Sequence, residues 1–179
     1  MAVLSFGVAG GLDPALAPGA LVVASSVISP DGHEIATSAP WRAALQADLD
    51  AAGIPYASGA IVGVEAPIDH PDPKRTIFEA TGGLCVDMES HAAMRAALLG
   101  GIPGLAVRTI ADSAADALPD IAITAIGSRG EVRIGAMIDA LLREPGDLPD
   151  LLRLWRVSRP AFASLRRVAA VAGLFGGAL

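Results

Sequence analysis

The sequence has few of the residues that build covalent or metal cross-links. It contains one cysteine, Cys85, so an internal disulfide and a metal site built from several thiolates are both excluded. The histidines are His33, His70 and His91, and their spacing matches no zinc-binding pattern. We therefore expect no metal site and a reducing compartment.

Long hydrophobic runs and a leader are also missing. Hydrophobic residues make up 53% of the chain, yet no uncharged apolar run reaches the roughly 18 residues of a membrane-spanning helix. Residues 1–6 lack the positive charge that opens a signal peptide. We expect a cytoplasmic protein.

Aromatic residues account for only 4% of the sequence, so aliphatic side chains must fill the core. With 53% hydrophobic and 18% charged residues, intrinsic disorder is excluded. A chain of 179 residues is long enough for one domain with a core but too short for two ordinary domains. We divide it into a body over 1–147 and a tail over 148–179.

Acidic residues are absent from residues 151–179, which carry five arginines, whereas all 19 acids lie before them. An acidic body disfavours nucleic acid as a partner. The tail is predicted to be a basic amphipathic helix, and two interpretations stay open. It could lie on an anionic membrane surface, or it could pack on the body with its arginines outward. We favour packing, because apolar stripes usually face a core.

Apolar β-branched segments alternate with helical patterns along the body. Strands are predicted over 3–8, 21–28, 59–64, 84–86 and 105–110, and helices over 40–52, 73–80, 88–99, 118–127 and 131–142, with a further helix over most of 150–171 that kinks at Pro160. This alternation predicts an α/β layered domain with a largely parallel sheet.

Ligands of such sheets bind beyond the carboxyl ends of the strands, where three segments lie. The first, GVAGGLD over 7–13, would let a ligand approach backbone amides closely, but a tight turn is the favoured alternative. The second, VDMESH over 86–91, could bind a vicinal diol through a carboxylate, or could simply place an acid at a helix start.

The third segment, RTIAD over 108–112, ends in Asp112. This carboxyl group could donate a proton to a leaving group, or could serve as a turn or N-cap aspartate before Ser113. Cys85 is expected to be a buried small hydrophobe and no nucleophile. Lys74 and Arg75 are expected to be solvated.

Together, these motifs resemble the purine nucleoside phosphorylase and nucleosidase superfamily over residues 6–116. GVAGGLDP with PGALVV is similar to its glycine-rich strand-turn-strand, VDMES to its ribose-binding segment, and RTIAD to its R-x-I-S-D segment. DMESH and LLREPGDLP over 141–149 most resemble the hopanoid-associated phosphorylases. The resemblance implies a three-layer αβα fold with a mixed, largely parallel sheet, here without its N-terminal βα portion.

The resemblance also implies roles for individual residues. Glu89 would bind the ribose hydroxyls, Met88 would pack against the sugar, and Asp112 would protonate the purine at N7. The remaining contacts would come from the backbone of Ala9 and Gly10, on the ribose and nucleophile side, and from Pro67 and Ile68, beside the base. No cofactor is implied, and inorganic phosphate would be the co-substrate.

Three departures from the superfamily's pattern bear on activity. Ala111 stands where a serine usually orients the aspartate, and Val8 stands where many relatives have a serine that binds phosphate or water. The earlier strand that the resemblance implies has no counterpart before Val3. Its loss would leave an unpaired sheet edge, so we expect a homo-oligomer or low stability.

The expected function is phosphorolytic release of adenine from a lipid-linked, hopanoid nucleoside. If the tail lies on a membrane surface, the contact would be peripheral and at the inner face. Two alternatives stay open. One is a nucleosidase of the methylthioadenosine/S-adenosylhomocysteine type, and the other is an inactive paralogue that binds purine or ribose.

Overall fold

The computed structural model describes residues 1–118 and 148–171, with the backbone alone over 148–155. The helices expected over 118–127 and 131–142 lie almost entirely outside these residues, as does most of the LLREPGDLP motif. The strands are β1 (Val3–Gly11), β2 (Leu21–Ile28), β3 (Glu34–Ala36), β4 (Ala57–Gly63), β5 (Cys85–Asp87) and β6 (Gly104–Asp112), and the helices are α1 (Ala39–Ala51), α2 (Pro71–Thr81), α3 (Ser90–Leu99) and α4 (Leu148–Ala169).

The strands form one mixed sheet in the order β3-β2-β4-β5-β1-β6, and β2 also pairs with β6. The two longest pairings, β1 with β6 and β2 with β4, are parallel, as is β4 with β5. The pairings of β1 with β5, β2 with β3 and β2 with β6 are antiparallel. The expected mixed sheet, with parallel pairing in its longest ladders, is confirmed.

Helices cover both faces of this sheet. Alternate residues of β2 explain the layers: Leu21 and Val23 join an apolar cluster with α1 and α4, whereas Val22 and Ala24 join one with Met94 of α3. The α2 helix contributes Ile77 and Phe78 to a third cluster, which holds Leu12, Val62 and Val86. This arrangement confirms the three-layer α/β fold.

Several element boundaries differ from the sequence prediction for local reasons. The α2 helix begins at Pro71, earlier than predicted, because proline is well tolerated in a first helical turn. The α3 helix begins at Ser90, later than predicted, because the Asp87 carboxylate accepts a hydrogen bond from the Ser90 N–H. The short β3 was not predicted; its three residues carry too little pattern to read.

The α4 helix packs on β6 and on the start of β2. Thr109 Oγ1 donates to the Ala161 carbonyl, and Ser164 Oγ donates to the Gly19 carbonyl. Ala161 and Val168 are fully buried, so part of the apolar stripe faces the body. The helix runs through Pro160. Among the described residues, no helix is long and apolar enough to cross a membrane.

One edge of β1 is largely open within the described part of the chain. β6 pairs with β1 from Val3 to Gly10, whereas β5 pairs only with Gly10 and Gly11 on the other side. On the side that faces away from β6, the strand pairing of β1 among residues 1–118 and 148–171 is limited to Gly10 and Gly11.

Candidate functional site

The carboxyl ends of β1 and β6 meet, and β5, which runs antiparallel to β1, lies beside Gly10 and Gly11. Gly10 lies opposite Val86 on one side and Asp112 on the other. A Cβ atom at Gly10 would lie 3.5 Å from Asp112 Oδ2, so the missing side chain leaves room beside the carboxylate. Ala9, the residue before it, is buried in the core.

Gly11 is more tightly enclosed than Gly10. A Cβ atom there would come within 3.0 Å of the Asp112 carbonyl oxygen and 3.3 Å of the Ala114 nitrogen. Backbone atoms such as these cannot swing away as a side chain can, so a side chain at this position would force the two strand ends apart. The glycine pair therefore permits the close approach of β1 to β6.

Asp112 forms a buried ion pair with Lys74 of α2. Lys74 Nζ lies 2.5 Å from Asp112 Oδ2, and the lysine side chain is fully buried. The expectation that Lys74 is solvated is wrong, because the lysine lies on the inward side of α2 and its ammonium group finds three acceptors there. Arg75, in contrast, is exposed, as expected.

The carboxyl group of Asp112 is not an N-cap. The turn that follows β6 is closed by Asp116, whose carboxylate accepts hydrogen bonds from the Ser113 N–H and Oγ. Burial raises the pKa of Asp112, Lys74 lowers it, and Asp116 raises it further. A raised pKa favours the protonated carboxyl group that a general acid needs.

Asp87, the first acid of the VDMESH segment, has a structural role. Its Oδ2 accepts hydrogen bonds of 2.5 Å from Arg108 Nε and from Ser90 Oγ, and both charged side chains of the pair are buried. Arg108 Nη2 donates to Ser5 Oγ at 2.6 Å, and its Nη1 donates to the Val107 carbonyl. This network joins β1, β5, β6 and α3 directly below the strand ends.

Glu89 remains exposed at the start of α3, and Met88 is half-buried beside it. Within the described residues, the Glu89 carboxylate has no hydrogen bond or ion pair. The two acids of VDMES thus differ in environment: Asp87, in β5, is buried and accepts a hydrogen bond from the Ser90 N–H, whereas Glu89 is the N-cap residue of α3 and makes no side-chain capping bond.

The loop after β4 lies next to these residues. The Val64 N–H donates to the Asp87 carbonyl, and Ile68 packs against the cluster that includes Leu12 and Val86. Pro67 is half-buried. The structure thus brings Ile68 close to the strand ends of β1 and β5.

His91 of α3 lies next to Glu65, in the loop after β4. Its Nε2 lies 3.7 Å from Glu65 Oε1, and its buried Nδ1 has no hydrogen-bond partner among the described residues. Cys85 is fully buried, and burial raises the pKa of its thiol, so it acts as a small hydrophobe and not as a nucleophile, as expected. No cluster of metal-binding side chains occurs in the described ranges.

A cavity of about 380 Å³ lies away from the strand-end residues, between α4 and the starts of β2 and β4. It is lined by largely apolar residues together with Ser164 and Arg167. It contains none of the predicted site residues. We place the candidate site at the strand ends because the buried titratable groups lie there. The cavity has volume but contains none of these groups.

Sequence reasoning missed Lys74, although a signal was present. Lys74 stands three and four residues before Ile77 and Phe78, which pack against the core. Residues at these spacings share a helix face, so the periodicity of α2 points Lys74 inward.

A family model described as "Phosphorylase superfamily" matches residues 1–143, which is most of the chain. The chain belongs to the phosphorylase superfamily. No curated protein matches the sequence.

Solved structures share the superfamily's fold with this chain at low sequence identity. The methylthioadenosine/S-adenosylhomocysteine nucleosidase of Helicobacter pylori, with butyl-thio-DADMe-Immucillin-A, is 18% identical with a TM-score of 0.62; the match covers 93% of this chain and 66% of that one. Futalosine hydrolase of the same organism is 18% identical with a TM-score of 0.63, again over 93% and 66%. S-adenosylhomocysteine nucleosidase of Streptococcus pyogenes is 19% identical with a TM-score of 0.63, over 94% and 66%.

The present chain therefore spans slightly less than two thirds of the length of these neighbours. At such identities the likeness shows a shared fold.

The Asp87–Arg108 pair should be a major source of stability. Asp87→Asn leaves the buried guanidinium without a counter-charge, so we expect the free energy of unfolding to fall by about 3–5 kcal/mol in urea titrations. The matched control, Asp72→Asn, breaks a largely exposed pair with Arg75 and should cost less than about 1 kcal/mol. Equal losses in the two variants would contradict this assignment.

Proposed function

We propose that this protein cleaves the N-glycosidic bond of an adenine nucleoside. The observation that carries the proposal is the Asp112 carboxyl group, which is buried at the end of β6 next to Gly10, a residue without a side chain. Lys74 holds Oδ2, and no hydrogen bond from the described residues reaches Oδ1. A carboxyl group with one oxygen fixed and the other free can meet a ring nitrogen of a bound base.

The reaction is a dissociative displacement at the anomeric carbon. As the bond to the purine lengthens, the sugar becomes oxocarbenium-like and the base gains negative charge. Asp112 donates a proton to N7 of the departing purine, which neutralises that charge. Burial raises the pKa of Asp112, which favours the protonated form that this step needs.

The remaining site residues bind and orient the nucleoside. The unpaired Glu89 carboxylate accepts hydrogen bonds from the two ribose hydroxyls, and Met88 packs against the sugar. The backbone of Ala9 and Gly10 lines the ribose and nucleophile side. Pro67 and Ile68 enclose the base from the loop after β4, which the packing of Ile68 near Val86 supports.

The nucleophile that attacks the sugar is inorganic phosphate if the protein is a phosphorylase, which is the first proposal. It is water if the protein is a nucleosidase, which is the second. The resemblance to hopanoid-associated phosphorylases favours phosphate, whereas the fold neighbours named above include nucleosidases. The three donors of Lys74 are all used by protein acceptors, and the buried Arg108 donates to Asp87, Ser5 and the Val107 carbonyl. Because Val8 provides no hydroxyl, phosphate binding beside it would rely on backbone amides of β1. A third proposal is an inactive protein that binds purine or ribose.

Adenine release separates these proposals. Purified protein is incubated with adenosine and with methylthioadenosine, with and without phosphate, and free adenine is quantified by chromatography. Release that requires phosphate supports phosphorolysis, and release without it supports hydrolysis. Binding without release supports the inactive protein. Absence of both binding and release in the folded chain would overturn the proposed function.

Asp112→Asn should lower adenine release by about 10²- to 10⁴-fold, because an amide cannot donate the acid's proton. Nucleoside binding, measured by calorimetry, should change much less. Glu79→Gln, which alters an exposed carboxylate on α2, serves as the control and should leave turnover unchanged. Unchanged turnover in Asp112→Asn would remove Asp112 from the catalytic role.

A lipid-linked adenine nucleoside is the proposed native substrate, and α4 is the proposed contact with the inner face of a membrane. The outer side of α4 carries exposed Arg156, Arg159, Arg166 and Arg167, and Phe162 is 50% exposed among them. An aromatic side chain surrounded by cations suits an anionic lipid surface. The buried side of α4 already packs on the body, so this contact would use the outer side alone.

Co-sedimentation with vesicles tests this contact. We expect binding to vesicles rich in anionic lipid at low salt, with loss of binding in a Phe162→Ser, Arg166→Glu variant. The matched control, Leu99→Ser with Arg75→Glu, makes the same changes at exposed positions on α3 and α2 and should bind as the unmodified protein does. Absence of binding at low salt would refute the membrane proposal.

A second copy of the chain is the proposed partner for the open edge of β1. Unpaired strand edges are normally covered, and on the side away from β6 the strand pairing of β1 within the described part is limited to Gly10 and Gly11. Light scattering should report a dimer or larger assembly. A monodisperse monomer that melts cooperatively would contradict it.

A further inference from the structure

We infer that Lys74 is a positioning residue for Asp112, holding one carboxyl oxygen so that the other is presented to the departing base. This inference rests on the proposed function, since it assigns Lys74 a part in the same proton transfer. Lys74 itself is not expected to touch the substrate.

All three protons of the Lys74 ammonium group are used within the protein. Its Nζ donates to Asp112 Oδ2 at 2.5 Å, to the Ser113 carbonyl at 2.9 Å and to the Asp116 carbonyl at 2.9 Å. An ammonium group has three donors and no acceptor, so this set is complete. These three hydrogen bonds fix the position of the ammonium group, and its bond to Oδ2 in turn fixes the orientation of the Asp112 carboxyl group.

The surroundings of Asp112 leave little else to orient it. Gly10 of β1 has no side chain, and Val86 of β5 is apolar. The resemblance places a serine at position 111 in relatives, where this chain has Ala111. A buried cation from α2 is thus the hydrogen-bond donor to this carboxyl group among the described residues. Its burial is costly unless the cation is paired, so the contact is not an incidental surface pair.

Lys74 should also set the pH range over which the acid works. The charged groups around the carboxyl are Lys74 from α2 and Asp116 from the loop after β6. Burial and Asp116 raise the pKa of Asp112, and Lys74 lowers it. A general acid loses activity as pH rises through its pKa. Removing Lys74 raises that pKa and moves the loss of activity to higher pH.

Steady-state kinetics across a pH series tests the inference with three variants of Lys74. Lys74→Met and Lys74→Gln should lower kcat at least about tenfold, change KM little, and shift the alkaline limb of the kcat profile upward. Lys74→Arg should restore the limb toward its original position, because it restores the cation. Arg75→Met on the exposed side of α2 is the matched control and should leave kcat, KM and the alkaline limb of the kcat profile unchanged.

A purely structural role predicts a different result. If Lys74 only attached α2 to the loop after β6, the variants would melt at lower temperature but their folded fraction would keep the original pH limb. That result would overturn the inference. Should Lys74→Met fail to fold, Lys74→Gln still tests the charge, because glutamine retains hydrogen-bonding capacity without the cation.

A measurement without substrate separates this inference from the proposed function. The carboxyl resonance of Asp112 in ¹³C-labelled protein, assigned by its absence in Asp112→Asn, is titrated in the unmodified protein and in Lys74→Gln. An upward shift of the pKa supports the linkage even if no nucleoside is cleaved, in which case only the proposed function fails. Cleavage by the unmodified protein with unchanged titration and an unchanged pH limb in Lys74→Gln would refute the role of Lys74 alone.

Discussion

The buried ion pair between Arg108 and Asp87 is the interaction on which the strand-end region depends. Each side chain alone would be too costly to bury, and each finds its remaining hydrogen bonds in the same network. Arg108 reaches Ser5 in β1, while Asp87 accepts from Ser90 at the start of α3. One pair thereby fixes the relative positions of three strands and a helix. The close approach at Gly11 depends on the same alignment, because it requires β1 and β6 to end at the same level.

The ion pair with Arg108 also distinguishes Asp87 from Glu89, the other acid of the same motif. The Asp87 carboxylate accepts hydrogen bonds from the Ser90 N–H and from Arg108, so it is not available to bind a ligand. Glu89, two residues later, lies outside the network and stays exposed. An acid at a helix start and an acid for a diol were alternatives in the sequence; in the structure Asp87 accepts a hydrogen bond from the first N–H of α3, and Glu89 makes no capping bond.

The third acid, Asp112, has a different kind of partner. A carboxyl group buried with a lysine has two opposing influences on its protonation, and the balance between them decides whether it can act as an acid near neutral pH. Lys74 comes from α2, which also contributes Ile77 and Phe78 to the apolar cluster beneath the strand ends. Packing of this helix and positioning of the carboxyl group are therefore coupled: a change that displaces α2 would also displace the donor on Oδ2.

Much of the fold was predictable from sequence, because alternation of apolar strands and helical segments determines the layers, and turn residues mark their ends. The positions of the motifs at strand ends were predictable for the same reason, whereas the direct pairing of β1 with β6, which makes Gly10 and Asp112 neighbours, comes from the tertiary structure. By itself, the sequence determined the layered α/β domain and the residue types at its edge. Only the tertiary structure decided the pairing: that Asp87 faces Arg108, and that Lys74 enters the interior. These contacts join residues 21 and 38 positions apart, and local pattern does not report which buried charge will find which partner.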